Sequence, residues 1–330
     1  MFHARQRRTS ALAALALSLL LVGCGTVGTD DEVSADGAFA RPVPESYPGI
    51  RVIEDVQYGV AGSEPLLLDV CHQQAENPST AGPRRAILVV HGGSWRAGDK
   101  ASTGWRNVCE WLASEGFVAF SINYRLAPLF TFPAQILDVR AAVRWIRQPD
   151  QATRFDIDPD RIGALGGSAG GNLAALLGVE GQGDWSIGSR VSAVVDLSGP
   201  TDLTSEGSRR TGFESAFQAL IAQYLGCDAL AGCASAEQAS PIFAVDETDP
   251  PFLVVNSTTE LVPLAQAQEF VERLRAQGVE TDFVTVKGSL HSIAMLDLDL
   301  RTRIAGFLRA KLGAPPPAAA ADAAPTPSAP

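Results

Sequence analysis

Short apolar runs recur along the chain and alternate with longer segments whose apolar residues step by three or four. Runs that fit buried strands lie at 50–58, 66–70, 86–90, 117–122, 162–165, 191–197, 252–255 and 283–286. Helical spacing or helix-forming composition marks 104–115, 133–147, 169–179, 263–277 and 293–312. In the second of these, Pro133 sits in the first turn, and Ile136, Val139, Val143 and Ile146 line one side. Strands alternating with helices predict an α/β architecture: a mostly parallel, eight-stranded sheet with helices on both faces. The first two strands have no helix between them, which predicts an antiparallel start. The stretch 203–244 breaks the alternation, with Phe213, Phe217, Leu220, Ile221 and Leu225 at helical spacing. It reads either as a helix packed on the main core or as a small helical cap over a substrate pocket.

Both ends of the chain depart from this pattern. Arg5, Arg7 and Arg8 precede an apolar run of 12 residues, Ala11 to Val22. That run is too short to span a bilayer and reads as the core of a signal peptide, residues 1–23. It ends in Leu21-Val22-Gly23-Cys24, which resembles a bacterial lipobox. The expectation is cleavage before Cys24, lipidation of that cysteine, and an exported, membrane-anchored protein. Residues 24–49 read as a flexible tether, 50–312 as the folded domain, and the Ala/Pro-rich 313–330 as a disordered tail.

The formal net charge is −11, and removal of the three leader arginines takes it to −14. No basic patch offsets this, so nucleic acid is not an expected partner. Export leaves four cysteines in an oxidising compartment, Cys71, Cys109, Cys227 and Cys233, and an even count predicts two disulfides. Cys227 and Cys233 are six apart in a small-residue loop, and Cys71–Cys109 follows by elimination from three connectivities. A metal site would need a CxxC pair or nearby histidines, so none is expected.

Candidate chemistry centres on Gly166-Gly167-Ser168-Ala169-Gly170, a G-x-S-x-G motif between a strand and a helix. A serine on such a sharp turn is pushed outward, with the positive end of the next helix beside it. Upstream, Leu88-Val89-Val90 runs into His91-Gly92-Gly93-Ser94-Trp95, a loop suited to holding an oxyanion with backbone N–H groups. Downstream, His291 follows a late strand. Beyond the leader the only other histidines are His72 and His91, so His291 is the expected base, with the ring of His91 bracing its loop.

These segments, together with Tyr124-Arg125-Leu126-Ala127-Pro128, Phe132-Pro133 leading to Asp138, and Asp158-Pro159-Asp160-Arg161-Ile162, resemble the α/β-hydrolase superfamily. The resemblance is to the esterase/lipase branch related to hormone-sensitive lipase and to acetyl-xylan/feruloyl (BD-FAE-like) esterases. It implies a serine carboxylesterase acting on short-chain acyl esters, including acetyl or feruloyl esters of carbohydrates, with no cofactor. It also implies oxyanion donors at Gly93, Ser94 and Ala169. The branch carries an aspartate three residues before a Val-Pro pair, and counting back from Val262-Pro263 puts Thr259 there. Glu260 is the acid in that loop and is expected to complete a Ser168–His291–Glu260 triad. Arg125 and Asp138 are expected to form a structural brace, and Asp196 and Asp202 to be solvated loop acids. A serine peptidase of the same fold and a non-catalytic anchored binding protein are the alternative readings.

Overall fold

A computed structural model describes residues 31–33, 46–74 and 82–313. The leader, Cys24 and the tail from 314 onward lie outside them. The strands are β1 (Asp31–Val33), β2 (Ile50–Ala61), β3 (Glu64–Gln73), β4 (Arg84–Val90), β5 (Val118–Ile122), β6 (Ile157–Gly167), β7 (Ala193–Leu197), β8 (Phe252–Ser257) and β9 (Thr281–Val286). They form one sheet in the order β1-β9-β8-β7-β6-β4-β5-β3-β2. The pairs β2–β3 and β3–β5 are antiparallel and the other pairs are parallel. All eight expected strands are present with their antiparallel start. The ninth, β1, adds three residues beside β9 from within the segment read as a tether. Too short and polar to give a strand signal, it depends on the partner edge for its pairing.

The helices are α1 (Thr103–Ser114), α2 (Ala134–Ile146), α3 (Pro149–Phe155), α4 (Ala169–Val179), α5 (Ser205–Thr211), α6 (Ser215–Leu225), α7 (Leu264–Ala276) and α8 (Leu298–Leu312). The central strands bury both faces, as parallel strands between helix layers must. In β4, Ala86, Leu88 and Val90 join one core with α2, α4, α6 and α7, while Ile87 and Val89 join a second with α1 and α8. This period of two splits one apolar run between two cores. The expected last helix is two elements: a short 3-10 turn, Ser292–Met295, then α8. The Asp297 carboxylate accepts the Leu300 N–H at 2.8 Å, an N-cap that starts a new helix there.

Two disulfides are present. Cys71–Cys109 ties β3 to α1, and Cys227–Cys233 closes the loop after α6. The stretch 203–244 holds α5 and α6, and α6 packs on the main core through Phe217, Ile221, Tyr224 and Leu225.

Candidate active site

Ser168 stands between β6 and α4 with φ +57° and ψ −123°, a conformation that non-glycine residues seldom adopt. Such strain costs about 1–3 kcal/mol and persists only where the surroundings over-determine it. Here the Ser168 N–H donates to Leu197 O at 2.8 Å, and its carbonyl accepts the Asn172 N–H at 3.0 Å. A Cβ on Gly166 would lie 2.0 Å from Gly170 O, and one on Gly170 would lie 2.1 Å from Val90 O, so β6 closes on α4, and α4 on β4, only because these positions lack side chains.

The 91–95 loop lies over this turn. A Cβ on Gly92 would come within 3.1 Å of the Ser168 Cβ. Gly93, Ser94 and Trp95 all have positive φ, +121°, +51° and +56°. The N–H groups of Gly93 and Ser94 meet no acceptor among the described residues, and that of Ala169, opening α4, has none within its helix. Trp95 holds the strained loop in place. Fully buried, it stacks on Tyr224 with ring centres 4.2 Å apart and donates from Nε1 to Asn172 Oδ1 at 3.2 Å. Asn172 in turn donates to Pro200 O and Ala239 O. The His91 ring stacks on Tyr124, and its Nδ1–H donates to Gly92 O at 2.8 Å. Burial pushes its pKa down, so it stays a neutral brace.

Glu260 follows β8 and its side chain is fully buried. Its Oε2 accepts the Nδ1–H of His291. Its Oε1 accepts the Ser198 hydroxyl at 2.6 Å and the Ser257 N–H at 3.1 Å. Thr259 is occupied otherwise, since both its N–H and its hydroxyl donate to Gly288 O at 2.9 Å. This bond staples the acid loop to the histidine loop and leaves the next residue, with its longer side chain, to reach the imidazole. Ser292, directly after His291, lies against Gly167, directly before Ser168: a Cβ on Gly167 would fall 2.1 Å from Ser292 Oγ. The structure thus brings Glu260 and His291 into contact and sets the histidine loop against the serine turn.

Arg125 and Asp138 form the expected brace, with Nη2 to Oδ1 at 2.7 Å and Nε to Oδ2 at 2.9 Å. Asp196 and Asp202 are buried rather than solvated. Asp202 accepts from Thr204 and pairs with Arg210, while Asp196 accepts the Gly199 N–H at 2.8 Å. Asp196 is a residue of β7 itself, paired between β6 and β8 where both faces of the sheet are covered, and the segment after β7 turns inward to bury Asp202. Burial, and then the nearby Glu260 charge, push the Asp196 carboxyl up to about 7. Sequence reasoning missed Ser198, whose partner Glu260 is 62 residues away. No local motif signals such a contact.

A mostly parallel sheet with a strained serine turn, a loop of unpaired N–H groups and a buried acid against a histidine defines the α/β-hydrolase esterases. The chain matches the BD-FAE family over residues 73–274 and belongs to that family. It is 34% identical over 318 residues to esterase LipC of Mycobacterium tuberculosis, covering 87% of this chain and 77% of that protein. Esterase 2 of Thermogutta terrifontis, solved phosphoramylated by tabun, is 25% identical with a TM-score of 0.63, covering 81% and 96% of the two chains. The same esterase has been solved with propionate bound. A truncated carbohydrate esterase from gut microbiota shares the fold at 24% identity and a TM-score of 0.64, covering 83% and 99%. The protein is a carboxylic ester hydrolase.

Proposed function

We propose that the protein hydrolyses short-chain acyl esters through an acyl-enzyme formed on Ser168. The observation that carries this is the buried Glu260 carboxylate accepting Nδ1–H of His291 beside the serine turn. With Nδ1 protonated, Nε2 is left as the proton acceptor. It takes the Ser168 proton as Oγ attacks the ester carbonyl, and the oxyanion forms at the N–H groups of Gly93, Ser94 and Ala169. The imidazolium, stabilised by Glu260, gives that proton to the departing alkoxide. Water, deprotonated by His291, then attacks the acyl carbonyl and releases the acid and Ser168.

A short acyl group is supported by the propionate complex of the related esterase. One feature supports an alkyl or aryl alcohol over a polysaccharide. Leu290 beside His291 and Leu261 beside Glu260 are about half exposed, at 51% and 48%, and offer apolar surface next to the proposed base and acid. Anchoring at Cys24 is proposed from the leader pattern, and two disulfides fit an exported protein.

The test is turnover of p-nitrophenyl acetate beside acetyl-xylan, with fluorophosphonate labelling of the wild type and Ser168→Ala. Labelling and p-nitrophenyl acetate turnover should both vanish in Ser168→Ala. Labelling that persists there would overturn the nucleophile, and faster release from acetyl-xylan would overturn the alcohol assignment.

A further inference from the structure

Ser198, at the end of β7, is 1% exposed and has φ +59°. Glycine would adopt that backbone freely, whereas serine holds it at a cost. The side chain explains what holds it there. Ser198 Oγ donates to Glu260 Oε1 at 2.6 Å and accepts the Ser292 N–H at 3.1 Å. A hydroxyl has one proton, so with Ser292 on its lone pair the proton can only go to the carboxylate. Three loops meet at this one oxygen: the end of β7, the acid loop and the histidine loop.

We propose that Ser198 is a positioning residue, whose hydroxyl bridges the Glu260 carboxylate and the Ser292 N–H and so keeps acid and base aligned. A glutamate has one more rotatable bond than an aspartate and more ways to turn away from the imidazole. Ser198 and the Ser257 N–H hold Oε1, which leaves Oε2 aimed at His291 Nδ1. The same bridge fixes the backbone of Ser292, which itself has φ +58° and follows the base directly. The inference rests on the triad reading above.

Ser198→Gly removes the hydroxyl while permitting the positive φ, and Ser198→Ala removes it while keeping Cβ. A hydrogen bond to a charged group sets the scale of the loss at about ten- to a hundredfold in kcat for each, with KM changed less than about twofold. Because Ser198 acts through Glu260, adding Ser198→Gly to Glu260→Gln should lower kcat less than about threefold further. Circular dichroism and Tm report whether each variant is folded. A folded Ser198→Gly with near-wild-type kcat overturns the proposal and leaves the triad standing. An equal loss in both backgrounds reduces Ser198 to a packing residue and also overturns it. Full activity in Glu260→Gln overturns both the proposal and the triad reading.

Discussion

Glu260 occupies a place one residue beyond the usual acid, and the structure gives a physical reason. Thr259 spends its N–H and hydroxyl on Gly288 O, so the loop is pinned there and the carboxylate reaches from the next position. Glu260→Gln keeps the shape and removes the charge, and kcat is expected to fall by roughly 10⁴, with slow turnover left by the oxyanion donors. Thr259→Asp in that background should restore part of the loss in the same steady-state assay. Asp196 carries a second prediction. Its folded pKa of about 7 lies above its ordinary 3.8, so between those values the folded state holds a proton that the unfolded state has lost. Stability from this group therefore falls as pH rises through that window, by up to about 4 kcal/mol. In a Tm series from pH 4 to pH 8, Asp196→Asn should flatten this decline relative to wild type. The proposed triad residues Ser168, His291 and Glu260 could be picked out as candidates from the sequence because each sits in a short segment of recognisable order. The burial of Asp196 and Asp202 could not, since the central place of β7 in the sheet and the inward path after it are set by packing with distant segments.

Strands and helices read well wherever one chain segment carried its own signal. The run at 86–90 and the stepped residues of α2 fell where their patterns placed them. Errors gathered at junctions. The Asp297 cap that divides the last helical stretch is one polar residue in an amphipathic run, and α3 is a single short helix opened by Pro149. Residues 203–244 left two readings open, and α6 does pack on the core while also supplying the ring against Trp95. That stack backs a loop with three successive positive φ angles. Tyr224→Leu keeps an apolar side chain but removes the flat face. Fluorophosphonate labelling of Ser168 should slow by tenfold or more while near-native circular dichroism is kept, because the 93–94 N–H groups lose their backing. Tm should fall by several degrees, as for other core shape changes in a chain of this size.

Over the whole molecule, no helix among the described residues is long and apolar enough to cross a membrane, and the attachment proposed above rests on the leader pattern that ends at Cys24. Mass spectrometry of detergent-extracted protein should find an N-terminal peptide beginning at a diacylglyceryl Cys24. Native soluble protein starting at Gly25 or later would speak against it. The Cys71–Cys109 bond has a consequence for the integrity of such a protein outside the cell. All three proposed triad residues lie downstream of Cys109, whereas the proposed anchor site, Cys24, lies upstream of Cys71. A protease that cuts anywhere between those cysteines therefore makes two fragments but not two molecules. The part with the proposed triad stays covalently leashed to the piece that would carry the proposed lipid, and only a reductant, not the protease, can set it free.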